Sequence, residues 1–346
     1  MTILIPEKIT HHRMRLLYIA ALVWLYMPCC VAAAPHRGAT PFTRPSNIPI
    51  RQTVSVPHNQ MSLLQELGRT LFFDPRLSRS GLMSCATCHN PSLHWTDGLT
   101  SSIENSSRKS MSLYNLAWDN GFTWRGGPGS ITSQAILALR APTGMNADDS
   151  VLQNGIRTIR YYQETFPKAF AGISPNAHEM RFEHITRAME AYVTTIVSPV
   201  APFDRWIEGD EKALSENQVR GFELFRGKAG CVQCHAGWRF SDSLYYDIGL
   251  ISGDKERDSK GNVTPFFKAV GLRNIAERPP YMHDGSLKTL EAVVEFYNRG
   301  GDSTRPTKSP RIRPLGLTES EKSDLVQFLR SLSGPPNPET LPVLPR

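Results

Sequence analysis

Apolar residues recur along this chain at helical spacing in several separated stretches and almost nowhere alternate in the two-residue rhythm of a strand. Leu63, Leu64, Leu67, Leu71 and Phe72 share one face of a helix predicted to start at about Gln60 and to stop at Phe73-Asp74-Pro75, where proline breaks the pattern. Helical spacing returns over Ser133–Arg140 and Arg181–Val197. Ser215 can cap a helix carrying Val219, Phe222 and Phe225, closed by Gly227 and Gly230, where glycine lets the backbone approach a bound group closely. Leu287–Tyr297 reads as helix, and Thr318-x-x-Glu321 is a capping box ahead of Leu325, Phe328, Leu329 and Leu332. From Asn90 to Gly129 Ser, Asn and Gly dominate, which predicts a long loop, and loops of that length are usually functional or disordered. Val-Ser-Pro-Val-Ala-Pro before Asp204 cannot continue the preceding helix, so a seam falls there between two halves, 61–203 and 204–346.

The N-terminus follows a different pattern. The apolar run Leu16–Met27 follows Lys8, Arg13 and Arg15 and precedes Val31-Ala32-Ala33-Ala34, the order of a secretory signal. Residues 1–33 are expected to be removed on export to the periplasm, with Met14 a second candidate start and an uncleaved membrane tether the alternative. Residues 34–60, rich in Pro, Arg, Ser and Thr, read as a tether or wrapping arm. With 40% apolar residues in 346, the chain is long enough for two domains, and its net charge of +7 is spread out, which speaks against a nucleic-acid partner.

Two of the six cysteines, Cys29 and Cys30, leave with the signal, and the other four form two identical frames. These are Cys85-Ala-Thr-Cys88-His89 and Cys231-Val-Gln-Cys234-His235. In such a frame each thiol can add to a haem vinyl group, and the next histidine then lies under the iron. Zinc is the competing reading. Separation of the frames by 146 residues and the histidine in both favour two covalent haems c. The fold class is therefore mainly α, two cytochrome c-like domains with one haem each.

Leu67-Gly68-Arg69-Thr70-Leu71-Phe72-Phe73-Asp74-Pro75-Arg76-Leu77-Ser78, then Leu272-Arg273-Asn274-Ile275 and Pro280-Tyr281-Met282-His283-Asp284-Gly285-Ser286, carry a resemblance over most of residues 61–332. The chain resembles the bacterial di-haem cytochrome c peroxidases and their MauG relatives. That resemblance implies a peroxidatic haem on His89 and an electron-transfer haem on His235. It places the sixth ligand of the second haem fourteen residues after His283, at Tyr297, where conventional peroxidases have methionine and MauG has tyrosine. By residue pattern alone Tyr297 would be an aromatic on a packed helix face; a phenolate there would stabilise ferric and higher states. Trp124 matches a tryptophan between the haems, or else is a core residue, and Gln134 matches a distal-pocket glutamine. The implied partners are hydrogen peroxide and either a small redox protein, a cytochrome c or cupredoxin, or a protein whose aromatic side chain is oxidised. A di-haem electron carrier without peroxidase chemistry is the alternative.

Several positions depart from the family. Where it has an acid/base glutamate, twenty residues after Trp124, this chain has Gly144, leaving water, Gln134, Asp148 or Asp149 to move the proton. The loop Asp97–Ser112 has no histidine to block the first haem, and His94 is too close to His89 to do so, so no reductive activation is expected. Family calcium positions become Lys109 and Arg278, whose charge is expected to replace the ion, with haem propionates as partners. The family's surface tryptophan is Ala229 here, and Trp238 offers another exit. His36, His58, His178 and His184 read as solvated side chains.

Overall fold

The computed structural model describes residues 40–47, 49, 58–103, 108–127, 129–251, 264–336 and 339–346. The signal at 1–33 and most of the arm, with His36, lie outside the described residues. Among the described residues the chain is helical, with a single pair of two-residue strands, β1 (Tyr245–Tyr246) and β2 (Phe267–Lys268), antiparallel with Tyr245 opposite Lys268. The α-helices are α1 His58–Phe73, α2 Cys85–Cys88, α3 Ile131–Arg140, α4 Asp149–Asn154, α5 Arg160–Ala169, α6 Phe182–Val193, α7 Pro202–Ile207, α8 Glu216–Arg226, α9 Leu290–Asn298 and α10 Glu319–Ser331. The expected caps hold: Ser215 accepts from the Gln218 amide, and Thr318 and Glu321 satisfy each other's amides.

Two helix pairs repeat one packing device. A Cβ placed on Gly68 of α1 would lie 1.8 Å from the Ala188 carbonyl oxygen of α6, and one on Gly221 of α8 would lie 2.0 Å from that of Asp324 on α10. Only glycine allows backbones this close. Around the first pair Leu64, Leu67, Leu71, Phe166 and Ile185 form one apolar core; around the second, Phe203, Phe222, Phe225, Phe240 and Phe328 form another. The arm wraps onto the second core: Phe42 stacks on Phe240 at 5.2 Å, and Arg44 donates to the Ser198 and Pro199 carbonyls.

The sequence motifs serve as structural pins. Buried Asp74 caps the turn Pro75–Leu77, accepts from Arg76 and receives the Tyr162 hydroxyl at 2.7 Å. Arg273, also buried, sits 2.6 Å from Asp204 and donates from Nε to the Trp238 carbonyl at 2.7 Å, fastening the segment after the second haem frame to α7. Three findings differ from expectation. Helices α4 and α5 form where the apolar pattern predicts none, α4 being short and α5 carrying Pro167 in its last turn. The proline-rich seam starts helix α7, with Pro202 at its first position, where the missing amide costs nothing. Gly230 is required for its left-handed φ of +63°, which turns the chain into the second frame.

Candidate haem sites and the groups around them

Both Cys-x-x-Cys-His frames fold into one tight turn, with the amides of His89 and His235 donating to the Cys85 and Cys231 carbonyls at 2.9 Å. Each imidazole Nδ1 then faces a main-chain carbonyl, His89 that of Trp95 at 3.3 Å and His235 that of Phe240 at 2.9 Å. Trp95 and Phe240 have φ of +63° and +55°, rare for bulky side chains. Such backbone persists where surroundings over-determine it, and here it aims the carbonyl at the ring. The bond fixes the tautomer and leaves Nε2 as the nitrogen open to a metal. Burial lowers the pKa of both histidines, keeping them neutral and able to ligate.

Burial pushes Cys231 up to about 12, an inert protonated thiol unless it is consumed covalently. Among the described residues no three His, Cys, Asp or Glu side chains converge on a common point, so the donors for a tetrahedral zinc are not assembled. The donor set fits haem instead, for which each frame needs two thiols and one nitrogen.

Cys231, Cys234 and His235 share a cavity of about 250 Å³ with Tyr297, Trp124 and Tyr114. Tyr297, on α9, turns its hydroxyl into this space without a hydrogen-bond partner among the described residues. Burial, then the neighbouring thiols, raise its pKa. A phenol in the same cavity as Cys231, Cys234 and His235 is a donor that would fit an iron held there. Trp124 donates its indole N–H to the Lys109 carbonyl at 2.9 Å and meets the His283 ring edge-on at 6.4 Å. Cys85 packs against a smaller cluster of Phe72, Trp95, Ile131, Tyr192, Val193 and Ile196. Gln134 stands one turn beyond Ile131 on α3, its Oε1 buried without a hydrogen-bond partner.

Gly144 lies in the turn after α3, its amide on the Ala141 carbonyl. The two carboxylates considered in its place are otherwise engaged. Asp148 caps α4, accepts from Ser150 and pairs with Arg79; those bonds hold it at about 2. Asp149 is exposed and pairs with Arg157 at 3.1 Å. Lys109 and Arg278 both meet the chain's own carbonyls. Lys109 Nζ donates to the Arg278 oxygen at 2.9 Å and to the Pro280 oxygen, while Arg278 donates to Gly271, Arg273 and Asn274 oxygens. Burial, then Arg278, brings Lys109 down to about 8.

Ala229 is buried. Trp238 stacks edge-on against Trp118 at 4.8 Å, but Arg44 and Arg273 both lie over its ring, within 5.9 Å. Cations over a ring stabilise it unoxidised, which argues against Trp238 as an exit for oxidising equivalents. His184 bonds Ser174 at 2.9 Å, a structural contact in place of the solvated side chain expected. A buried cluster escaped sequence reading: Asp119 pairs with Lys268 at 2.6 Å and Arg239 at 3.1 Å on the cavity wall. No local pattern joins residues that far apart in sequence.

The family model described as di-haem cytochrome c peroxidase matches residues 63–212. The chain is 42% identical to the methylamine utilization protein MauG of Methylorubrum extorquens, over 85% of this chain and 86% of that protein. It is 33% identical to cytochrome c551 peroxidase of Nitrosomonas europaea, over 82% and 83% of the two chains. Among solved structures, a MauG-like protein associated with microbial copper homeostasis superposes with a TM-score of 0.71 at 28% identity, over 85% of this chain and 94% of that one.

Proposed function

Because this chain belongs to the di-haem cytochrome c peroxidase and MauG family, haem oxidoreductases with two c-type haems, we propose that it is an exported peroxidase of the MauG-like branch. It uses hydrogen peroxide to oxidise a small redox protein or an aromatic side chain of a partner protein. The observation that carries this reading is Tyr297, which lines the cavity of His235, Cys231 and Cys234 and whose hydroxyl has no hydrogen-bond partner among the described residues. When bound, the haems supply iron centres that accept the oxidising equivalents of peroxide and hold them until a donor reduces them.

The protein's own groups do the rest. Cys85 and Cys88 would hold the first haem and Cys231 and Cys234 the second, with His89 and His235, made more basic by their carbonyl bonds, as the nitrogen ligands. Tyr297 would supply an anionic oxygen to the second iron, which would favour its oxidised states. Trp124, held by the Lys109 carbonyl, shortens the path between the haems. Gln134, with a buried oxygen awaiting a donor, orients peroxide or a water at the first haem. With Gly144 lacking a carboxyl and Asp148 held ionised, that water moves the proton. We assign the haem domains to 61–203 and 204–346, and export to the signal at 1–33, leaving a periplasmic protein.

Stopped-flow mixing of the diferric protein with peroxide tests the reading. The haem spectrum is expected to change without prior reduction, and Gly144→Glu to alter the rate only modestly. An inert wild type, with Gly144→Glu faster by up to the ~10²–10⁴ of a positioned acid/base, would overturn it in favour of an electron carrier.

A further inference from the structure

Tyr114 belongs to both haem environments. Its ring packs against the cluster that holds Cys85 and Trp95, and it also lines the cavity of His235 and Tyr297. Its hydroxyl meets His94 Nδ1 at 3.4 Å. The local chain is built for that meeting. His94 takes a left-handed φ of +54° after the turn Pro91–Leu93, and its carbonyl accepts the Ser112 hydroxyl at 2.8 Å. Ser112 Oγ also accepts the Tyr114 amide, so one side chain fixes both partners. Glu277 and Arg278 act on His94 with opposite sign. Burial keeps the Tyr114 phenol protonated and the His94 imidazole neutral, the protonation states in which one donates and the other accepts.

We propose that Tyr114 and His94 form a redox-active pair between the two haem frames, a second relay beside Trp124. This inference rests on the peroxidase reading above. Tyr114 gives one electron to a haem oxidised by peroxide, and its phenolic O–H bond breaks as the proton passes to His94 Nδ1. The products are a neutral tyrosyl radical and an imidazolium. An electron from the external donor then returns to the ring, and the same proton comes back from His94. Without an acceptor within hydrogen-bond reach, oxidation would leave a strongly acidic phenol cation at a partly buried position, which is costly. Half-buried His94 supplies that acceptor.

The test is rapid-freeze EPR on the haem-loaded full chain mixed with hydrogen peroxide, prepared with natural and with ring-deuterated tyrosine, with the haem optical response recorded in parallel. Expected is an organic radical whose signal narrows with deuterated tyrosine and is absent from Tyr114→Phe. In His94→Gly it should fall by about 10²-fold, and added imidazole should restore it. A merely structural histidine would not be replaced by free imidazole. In wild type, deuterium oxide should slow formation of the radical, a readout that does not depend on the His94 variant folding. A radical that survives Tyr114→Phe, one that is indifferent to both His94 and deuterium oxide, or none at all would overturn the pair while the optical response leaves the peroxidase reading standing. No optical response in wild type would overturn both.

Discussion

Tyr297 and Asp148 show how surroundings decide what a titratable group can do. Among the described residues Tyr297 has no hydrogen-bond partner for its hydroxyl, and burial raises its pKa, so the neutral phenol is favoured until a metal takes the proton's place. Tyr297→Phe is therefore expected to remove the phenolate signature of the second haem in resonance Raman spectra and to raise its potential; an unchanged spectrum would make the residue a packing aromatic. Asp148 is the opposite case. Bonds from Ser150, the Val151 amide and Arg79 hold it at about 2, well below its usual value. Its stabilising contribution is therefore complete above the unfolded carboxyl's pKa and is lost as pH falls towards 2. An acid that stays ionised at neutral pH donates no proton there. Asp148→Asn, which can still cap α4, should leave the peroxide reaction at pH 7 within about twofold of wild type, where loss of a true acid/base costs ~10²–10⁴.

Helix α8 shows how much one residue can carry for an element. It was legible from Ser215, Val219, Phe222 and Phe225, but its tight approach to α10 was not. Gly221, in the middle of a helix, costs helical stability on its own. The structure gives the reason for it: a Cβ there would meet the Asp324 carbonyl at 2.0 Å and the Phe328 Cβ at 2.7 Å. Backbone cannot yield as a side chain can, so the helices would have to separate and open the aromatic core of Phe222 and Phe328. Gly221→Leu should destabilise the haem-loaded protein by at least about 3 kcal/mol in denaturant titration. A cost below about 1 kcal/mol, no more than a lost helix cap, would mean that the crossing is looser than described. Gly68 on α1 predicts the same for the first half.

Across the whole molecule, Lys109 ties the loop after the first haem frame to the segment after Asn274. Its amide donates to the His283 carbonyl, its ammonium to the Arg278 and Pro280 carbonyls, and its own carbonyl receives the Trp124 indole. An internal cation already occupies carbonyls that a bound ion would otherwise gather. Exhaustive chelation should accordingly leave the haem spectra and the peroxide reaction unchanged. Lys109→Met strands two buried oxygens and should cost ~1–3 kcal/mol of stability. Activity lost to a chelator and restored by calcium would refute the replacement.

Adjacent residues carry everything about this protein that can be read without its fold. The Cys-x-x-Cys-His frames, the caps at Ser215 and Thr318 and the helical apolar stripes are local, because thiol spacing, capping and periodicity act within a few bonds. Beyond that local reach, the family register implies roles for Tyr297, Trp124 and Gln134. Tertiary structure alone decided what depends on meetings across the chain. It put the Trp95 and Phe240 carbonyls on the two imidazoles, Lys109 on oxygens 169 and 171 residues away, and Asp119 beside Lys268 and Arg239. A buried charge must find its partner wherever the fold brings one, and sequence carries no mark of that distance.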